Sequence, residues 1–580
     1  MKVLFFAPHS AVWVHAFPEA LIAESLQQAG HEIVYVGCGG TLESYCVAMS
    51  AHGIAYEAPA PVKRRLCAGC RRNRDLIRRQ CRFDGPDLSD LVTAADWARA
   101  EEAIRAQPAA RLLELSMDGV DVGKIALYEM LIQRKRGALD LTPEETLRYQ
   151  ANLKNVIVVQ RAMGRLLDEH RPDRVVLYNA LYSVNRVVCR LAEIRGVPQY
   201  YLHAGDNLSK RLATLVLARG HAFGYYRHLC NRWPDFADRP CPPEAMRAGT
   251  DHLLEVARGR SVWAYSAAAG GSKDLRQTFG IGPGQRVICA TMSSDDERFG
   301  GEVVGVLPSL HRVLYPKQVD WIRALVEYVE TRPGLFLIIR VHPREFPNKR
   351  EQVLSDHAVL LQEAFAHLPS NVKVDWPTAG VSLYDLAGIT DVFANAWSSA
   401  GKEMNWLGLP VVLYSDDLAL YPADLNYVGT TSEEYFAALE RALEDGWNAE
   451  RIRRAYRWCA VELHYSTMDI SDSFAKNENA PMLRKIASRL LRSAAPGLQQ
   501  RWDMWRRAAR LPAGDTAVRV VGEGLATAVD IAVRPSAITV EEETRNLKRE
   551  VARLVEGLYG PRGDPRDNPL AARLRAYAEA

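Results

Sequence analysis

The sequence predicts an α/β protein with two parallel-sheet domains followed by additional helices. Three observations lead to this prediction: a strand–helix–strand pattern at the start of the chain, a second one near residue 180, and a longer alternation of strands and helices between residues 286 and 417. Strands that alternate with helices in this way favour parallel sheets with right-handed crossovers. The predicted units are an N-terminal domain over 1–270, a C-terminal domain over 271–445 and a helical region over 446–580.

In the N-terminal domain, short apolar runs predict strands over Val3–Ala7, Glu32–Val36, Asp173–Tyr178 and Val197–Leu202. Gly30 and Gly196 end the helices between them, as glycine commonly does. Loops that follow parallel strands meet at one edge of the sheet, where such folds bind ligands. His9, His15 and Asp206 lie in these loops, which places them in a candidate site. Either histidine could instead cap a helix or pack in the core.

Four cysteines near the N-terminus form a candidate metal site. Cys67 and Cys70 have the two-residue spacing of a metal knuckle, and Cys38 and Cys46 could complete four thiolates. Structural zinc is the predicted occupant, and ordinary buried cysteines are the alternative. The chain has ten cysteines. Without a secretion signal they indicate a reducing compartment, where disulfides are rare.

The C-terminal domain is predicted from Arg286 onward. Buried strands are expected over Arg286–Thr291, Leu335–Val341, Asp391–Asn395 and Pro410–Tyr414. Ser382 is a plausible N-cap for a helix over Leu383–Ala387, and a second helix opens at Lys402 and ends before Gly408. These elements follow one another without long loops, which is typical of a parallel sheet.

Two loops of this domain carry side chains suited to a nucleotide. Arg340 and His342 share one face of the strand's end and could reach a phosphate, while Pro343 fixes the backbone beyond them. They are predicted to bind a phosphate.

The second loop joins a strand to a helix through Ser398, Ser399 and Gly401. A tight turn into a helix N-terminus presents N–H groups and a positive dipole end, which favours a phosphate. Glu403, in the first helical turn, could accept hydrogen bonds from two ribose hydroxyls. The alternative is an ordinary helix cap with a dipole-complementing glutamate.

Charge and apolar patterning argue against nucleic-acid-binding, membrane-spanning and secreted proteins. The net charge of +3 does not suggest nucleic acid as a partner, and no apolar run is long enough for a transmembrane helix. The start MKVLFFAP fits a strand better than a signal peptide, because its apolar run ends at Pro8. A cytoplasmic protein is therefore expected.

The C-terminal region is predicted to be helical. Residues 484–510 contain eight Lys or Arg and one acidic residue, with Trp502, Met504 and Trp505 among them. This pattern indicates a helix pair on a membrane surface, or a solvated basic face packed by its tryptophans. Residues 538–558 have the apolar spacing of one amphipathic helix, and the segment GPRGDPRDNPLAARL from Gly560 is expected to be loose.

The motifs of the C-terminal domain resemble those of bacterial capsule and surface polysaccharide biosynthesis glycosyltransferases. The resemblance rests on Arg340-Val-His342-Pro343, SLYDLAGITDVF, Ser398-Ser399-x-Gly401-x-Glu403 and Gly408-x-Pro410-Val-Val, and covers about residues 285–430. The His-Pro and Ser-Ser pairs are similar to those of enzymes with cytidine-nucleotide donors, such as sialyltransferases, Kdo transferases and polyol-phosphate polymerases.

This resemblance implies the GT-B architecture, with two Rossmann-like parallel-sheet domains. It also implies an inverting, metal-independent transferase, with a CMP-, UDP- or GDP-linked donor on the C-terminal domain. The acceptor, a glycan or lipid-linked glycan, would lie on the N-terminal domain, and the enzyme would be cytoplasmic or peripheral on the inner membrane.

Two other readings of the sequence stay open. A sugar-nucleotide epimerase also uses a pair of sheet domains, but it needs several carboxylates around the sugar, and only Glu403 and the Asp295–Glu297 cluster stand out. A nucleotide- or carbohydrate-binding scaffold without activity is the third reading. No acidic catalytic motif of the sialyltransferase kind is present, which leaves the base to be chosen among His15, His9 and Asp206.

Overall fold

The chain forms two six-stranded sheets, each flanked by helices. The computed structural model describes residues 1–270, 274–308, 310, 313–474, 497–508, 511–532, 538–560 and 568–580. The first sheet has the order β12-β5-β4-β3-β1-β2 and the second the order β11-β10-β9-β6-β7-β8. Parallel pairs dominate both sheets, so the predicted α/β fold with two Rossmann-like parallel-sheet domains is confirmed.

The first sheet combines a parallel core with an antiparallel edge. Its strands are β1 (Lys2–Phe6), β2 (Glu32–Val36), β3 (Arg174–Tyr178), β4 (Gln199–Ala204), β5 (Thr214–Arg219) and β12 (Thr467–Asp469). β5 runs antiparallel to β4, and β12 runs antiparallel to β5. The nine residues 205–213 between β4 and β5 contain no crossover α-helix, so β5 returns directly beside β4. The sequence analysis did not predict β5 or β12.

Helices cover both faces of this sheet. They are α1 (Trp13–Gln28), α2 (Val47–Ala51), α3 (Ala60–Cys81), α4 (Leu88–Leu91), α5 (Ala94–Arg105), α6 (Val122–Ile125), α7 (Tyr128–Arg134), α8 (Pro143–His170), α9 (Ser183–Ile194) and α10 (Ala222–Arg232). The next helix, α11 (Pro243–Ala257), packs into the core of the second domain. Glycine at Gly30 and Gly196 follows α1 and α9 with positive φ, as the sequence predicts.

The second sheet is parallel throughout its described pairs. Its strands are β6 (Arg286–Thr291), β7 (Leu335–Arg340), β8 (Val372–Asp375), β9 (Val392–Asn395), β10 (Val411–Leu413) and β11 (Tyr427–Val428). Its helices are α12 (Leu275–Phe279), α13 (Asp295–Val303), α14 (Gln318–Glu330), α15 (Asp356–Ala364), α16 (Leu383–Ala387), α17 (Ala400–Trp406) and α18 (Ser432–Asp445). The four central strands β6, β7, β9 and β10 are buried on both faces, which explains their mainly apolar sequences.

The region after residue 445 is divided between the two domains. It contains α19 (Ala449–Ala460), a π-helical turn (Val461–Tyr465), β12, α20 (Leu498–Arg506), α21 (Pro512–Gly522), α22 (Val540–Tyr559) and α23 (Pro569–Glu579). α21 lies on α1 of the first domain, while α22 packs against α11 and α23. Apolar side chains of α19, α22 and α23 join the core of the second domain.

The predicted amphipathic helix is present as α22, but the prediction of a loose segment is wrong for Pro569–Leu574, which belong to helix α23. Asn568 caps α23 by accepting a hydrogen bond from the Ala571 N–H at 2.9 Å, and Pro569 occupies its first turn. Leu570 and Leu574, one turn apart, are buried in the core of the second domain. Residues 561–567 of the predicted tail lie outside the described residues.

The basic segment 484–510 is described only in part. Residues 484–496, 509 and 510 lie outside the described residues. In α20, Met504 is buried, whereas Trp502 and Trp505 are 51% and 74% exposed and lie beside each other, with ring centroids 5.1 Å apart. Across the part of the chain that the structure describes, no helix has the length and apolar character needed to cross a membrane.

A polar clasp fixes the two domains to each other. The Lys135 ammonium, after α7 of the first domain, donates to the Phe346 and Val353 carbonyls of the second domain at 3.0 and 2.7 Å. The buried Arg344 guanidinium donates to the Ile132 carbonyl of α7 at 3.0 Å. These contacts of Lys135 and Arg344, which we call the domain clasp, therefore join the first domain to the second.

Candidate active site

A cavity of about 990 Å³ lies between the two domains at the carboxyl ends of their strands. Its walls include Asp206 and Tyr226 of the first domain, Thr291, Arg340, His342, Pro343, Ser398, Ser399, Lys402 and Glu403 of the second, and His252, Trp263, Tyr265 and Glu462 from the connecting segments. The structure thus brings six of the seven predicted donor residues together with Asp206, across one cleft.

His342 is held in one orientation at the end of β7. Its Nδ1 accepts a hydrogen bond from the Arg344 N–H at 3.2 Å, and its ring lies edge-on to Tyr265, with centroids 5.7 Å apart. Burial lowers the pKa of His342 to about 4, so the ring is neutral near pH 7. Because Nδ1 accepts, the ring proton is assigned to Nε2, which can donate a hydrogen bond to an oxygen in the cleft.

The Arg340 guanidinium is less available to bind a phosphate than the sequence suggests. Its guanidinium forms a buried ion pair with Asp375 and donates to the Val381 carbonyl at 3.2 Å. The Asp375 carboxylate neutralises the positive charge that the prediction assigned to a donor phosphate. Arg340 lines the cleft, but it also holds β7 and β8 together at their ends.

The loop after β9, which is predicted to bind a phosphate, also forms hydrogen bonds within itself and packs against Tyr421. Ser398 Oγ accepts from the Ala400 N–H at 3.3 Å, and the Gly401 N–H donates to the Ser398 carbonyl at 3.3 Å. Gly401 does not line the cleft, and a Cβ at this position would overlap the Tyr421 hydroxyl. Gly401 is therefore needed for close packing against Tyr421, whereas Ser398 and Ser399 face the cleft.

Glu403 is a buried carboxylate with fixed orientation. It accepts hydrogen bonds from the Tyr384 hydroxyl at 2.7 Å and from the Ser399 hydroxyl at 2.9 Å, and its side chain is 6% exposed. A carboxylate has about four lone-pair sites, so two donors leave room for ligand hydroxyls. The geometry suits the predicted contact with a ribose.

Lys402 and Glu462 form a buried pair that the sequence analysis missed. Burial would lower the pKa of Lys402, but the adjacent Glu462 carboxylate raises it above its ordinary value, so the ammonium stays charged. Glu462 lies in the π-helical turn after α19, and such turns are frequent at functional sites. No local sequence pattern predicts this turn, because the residues around it have the pattern of a continuous helix.

Asp206 is the predicted base that lines the donor cleft. Its carboxylate accepts a hydrogen bond from the Tyr226 hydroxyl at 2.8 Å and lies 4.0 Å from the Arg211 guanidinium. The residue follows β4 by two positions, at the carboxyl end of the first sheet. Asp206 therefore faces the donor residues from the opposite domain.

His9 and His15 do not line the donor cleft. Both line a small cavity of about 230 Å³ inside the first domain, where the His15 ring stacks on Tyr178 with centroids 4.0 Å apart. Burial lowers the pKa of His9 to about 4 and, with nearby His203 and His9, that of His15 to about 3. The structure thus separates these histidines from the residues predicted to bind the donor.

A second polar cavity, of about 500 Å³, lies beside His9. Glu129, Gln133, Arg148 and Asn152 contribute to its wall. The Nε2 atom of His9 is buried and has no hydrogen-bond partner among the described residues. This cavity is the place where His9 could contact a ligand within the first domain.

The four cysteines predicted as a metal site line one cavity of about 420 Å³. Among the described residues, however, no group of three or more His, Cys, Asp or Glu side chains is arranged to hold a metal ion. The structural zinc therefore stays a prediction, although Cys38, Cys46, Cys67 and Cys70 do come together.

No protein-family model matches the chain, and no curated protein matches it. Among solved structures, the UDP-GlcNAc 2-epimerase of Neisseria meningitidis bound to UDP-GlcNAc is 12% identical, with a TM-score of 0.26, and the match covers 80% of this chain and 97% of that one. The KpsC β-Kdo 2,4 transferase of Thermosulfurimonas dismutans is 15% identical, with a TM-score of 0.29 and coverage of 50% and 79%. The glycosyltransferase SnogD of Streptomyces nogalater is 14% identical, with a TM-score of 0.23 and coverage of 85% and 100%. Glycosyltransferases and epimerases both occur among the similar structures, and these scores do not choose between the two activities.

Proposed function

We propose that this chain is a glycosyltransferase that moves a sugar from a nucleotide-sugar donor to an acceptor hydroxyl. The observation that carries the proposal is the single cleft in which His342, Ser399 and Glu403 of one domain face Asp206 of the other. A transferase needs such an arrangement, because donor and acceptor must meet in one orientation away from bulk water.

The donor would bind on the second domain. Glu403, oriented by Tyr384 and Ser399, would accept hydrogen bonds from the ribose hydroxyls. The neutral His342 ring would donate from Nε2 to a phosphate oxygen. Lys402 and Arg340 line the cleft as well, but their charges are neutralised by Glu462 and Asp375, so His342 would be the main side-chain contact of the phosphate.

Asp206 is the base that the cleft favours. Its carboxylate would take the proton of the acceptor hydroxyl while the acceptor oxygen attacks the anomeric carbon. The bond from that carbon to the phosphate oxygen breaks, and the nucleotide leaves with its electron pair. Tyr226 would hold the Asp206 carboxylate in place. Attack from the opposite face would invert the anomeric carbon, and no step in this scheme calls on a metal ion.

A sugar-nucleotide epimerase is the second candidate. Three carboxylates, Asp206, Glu403 and Glu462, line the cleft, and of these the sequence analysis singled out only Glu403 for an epimerase. The Asp295–Glu297 cluster does not add to them, because these residues do not line the cleft and Asp296 is paired with Arg344. An epimerase would change the sugar of its donor without any acceptor.

Product analysis tests the two activities. The purified chain is incubated with CMP-, UDP- and GDP-sugars, with and without glycan acceptors, and products are identified by NMR and mass spectrometry. The proposal expects nucleotide release that depends on the acceptor. An altered sugar still attached to its nucleotide would indicate the epimerase, and no conversion of any donor would favour the scaffold.

Variants test the division of roles. Asp206→Asn is expected to slow turnover by roughly 10²–10⁴-fold with donor affinity nearly unchanged, as for loss of a general base. His342→Ala is expected to weaken donor binding and slow turnover together. Asp320→Asn, at an exposed position of α14, is the matched control. If Asp206→Asn keeps the full rate while His9→Ala or His15→Ala loses it, the base belongs to the first-domain cavity instead.

We further propose that the acceptor is a glycan or lipid-linked glycan in bacterial surface polysaccharide synthesis, reached by a cytoplasmic enzyme at the inner membrane. Two exposed tryptophans, Trp502 and Trp505, support contact with a membrane surface, because indole rings favour the boundary between water and lipid. The resemblance of the donor motifs supports the polysaccharide class.

A further inference from the structure

Helix α3 of the first domain is strongly basic, and it lies outside the donor cleft. Its 22 residues include eight Lys or Arg and a single carboxylate, Asp75. No residue of α3 lines the donor cleft. The positive charge of this helix therefore has no part in donor binding.

The arginines of α3 are of two kinds. Arg74 and Arg78 turn inward, and both pair with the buried Asp87 carboxylate. The exposed arginines differ, because among the described residues no carboxylate pairs with them. These exposed side chains are Arg64, Arg65, Arg71, Arg72 and Arg79, followed by Arg82 just after the helix.

Three of the exposed arginines form a row. Arg65, Arg72 and Arg79 are seven residues apart, which is about two helical turns, so they lie along one side of α3. At about 1.5 Å per residue the row is about 21 Å long. Ile77 and Cys81 are buried in the core of the first domain. The arginine row is therefore the solvent side of a helix whose other side is fixed.

Helix α20 presents an apolar stripe to solvent. Leu498, Trp502 and Trp505 are each at least half exposed, and their spacing of four and three residues places them on one side of the helix. Met504 is buried in the core of the first domain. The large apolar side chains of α20 thus lie on its exposed side, which is the reverse of an ordinary surface helix.

The two helices lie beside each other. α20 packs on α3, and the Arg507 guanidinium after α20 donates to the Gln80 carbonyl of α3 at 3.0 Å. The same guanidinium pairs with Glu24 of α1 at 2.8 Å. The arginine row and the apolar stripe therefore adjoin on the surface of the first domain.

We propose that this docking surface, made of the arginine row of α3 and the apolar stripe of α20, binds a bilayer that contains anionic phospholipid. Guanidinium groups bind lipid phosphates through paired hydrogen bonds, and indole rings favour the boundary between headgroups and acyl chains. A nucleic acid duplex matches the arginines alone, because its phosphate backbone offers no apolar layer for leucine and indole side chains. Charge and apolar character together therefore favour the bilayer.

Flotation with vesicles tests the arginine row. Full-length protein is mixed with vesicles of phosphatidylcholine, with or without phosphatidylglycerol, and we expect binding only to those with the anionic lipid. Arg65→Gln, Arg72→Gln and Arg79→Gln combined should weaken this binding roughly 100-fold, since each basic residue near an anionic surface contributes about fivefold. Equal binding to both kinds of vesicle, or binding to neither, would overturn the proposal.

A second triple variant is the matched control. Arg99→Gln, Arg105→Gln and Arg111→Gln combined also remove three exposed arginines of the first domain, but these lie outside the docking surface. The control changes the net charge by the same amount and should bind vesicles like the wild type. Equal losses in the two triple variants would show that net charge, and not the arginine row, attracts the vesicles.

Brominated acyl chains test the apolar stripe, because they quench only indoles that enter the bilayer. Trp502→Ala combined with Trp505→Ala should abolish most of the quenching, and undiminished quenching would overturn the role of α20. Duplex DNA is the competing partner. If the wild type binds DNA but no vesicles, and the arginine-row variant loses the DNA, the surface binds nucleic acid instead.

This inference rests on the membrane contact in the proposed function, but it uses no step of glycosyl transfer. Asp206→Asn should therefore bind anionic vesicles like the wild type, and the arginine-row variant should keep its rate with a water-soluble acceptor. Vesicle binding by a chain that transfers no sugar would support the docking surface and refute the transferase. Transfer without vesicle binding would refute only the docking surface.

Discussion

Replacing Arg344 tests how much the buried charges at the domain clasp contribute to stability. The Arg344 side chain and the Asp296 side chain are each 1% exposed. The guanidinium donates to Asp296 at 2.7 Å, to Glu351 at 2.9 Å and to the Tyr265 hydroxyl at 3.1 Å, besides the Ile132 carbonyl. Arg344→Met therefore leaves the Asp296 carboxylate buried without its cation.

The expected cost follows from that burial. Removing one partner of a buried ion pair destabilises a protein by about 3–5 kcal/mol, because the other charge stays desolvated. Replacing both partners with apolar side chains of similar size is often nearly neutral. The double variant Arg344→Met, Asp296→Leu should therefore recover most of the loss. The exposed pair Arg323–Asp320 serves as control, and Arg323→Ala should cost less than about 1 kcal/mol.

Urea unfolding followed by tryptophan fluorescence measures these differences, with the slope of the transition compared among all variants. A single variant as stable as Arg323→Ala would show that Asp296 is not charged or not buried in solution. A double variant no better than Arg344→Met would show that the loss comes from the other contacts of the guanidinium. Either result refutes the reasoning.

Three further predictions concern the donor, pH and the membrane. Glu403→Gln should weaken donor binding by about 1–3 kcal/mol in calorimetry, because an amide replaces a charged acceptor. Asp320→Asn, at an exposed position of α14, is the control and should leave donor binding unchanged; equal donor affinity in the two variants would count against the ribose contact. Below pH 6.5 the free energy of unfolding should fall, because burial lowers the folded-state pKa of several histidines and the unfolded chain therefore binds more protons between about pH 4 and 6.5. His252, with a pKa lowered to about 3, contributes up to about 1.4 kcal/mol per pH unit to this fall. His252→Gln should therefore make the free energy of unfolding depend less on pH. The double variant Trp502→Ala, Trp505→Ala should reduce the fraction of protein that floats with anionic liposomes. An unchanged fraction would show that these two side chains do not bind the membrane.

The sequence predicts the strands well because they are buried on both faces. The runs at Arg286–Thr291 and Leu335–Val341 each contain at least four consecutive apolar residues that are buried, so the local sequence alone gives their type and position. Short strands at the edges behave differently: β12 is three residues long, and its pairing with β5 depends on residues far away in sequence. Local pattern contains no information about such a partner.

The site was predictable only where a motif follows a strand. His342 and Ser398 are placed by the rule that parallel strands end at one edge, and both line the cleft. His9 obeys the same rule but faces a cavity within its own domain, because the rule fixes the edge and not the direction of the side chain. Glu462 was missed because it reaches the cleft from a π-helical turn after the second sheet, and no local signal marks that turn.

The late position of β12 also has a consequence for the order in which the molecule matures on the ribosome. The strands β6 to β11 are complete by Val428, before β12 has been synthesised. Until residues 467–469 emerge, β5 offers an open edge of unpaired backbone groups, which is a site for pairing with other chains. The second sheet can therefore form before the first sheet is complete, although the helices α22 and α23 that finish the core of the second domain emerge later still. β5 is the part of the nascent chain that is exposed longest to wrong pairing.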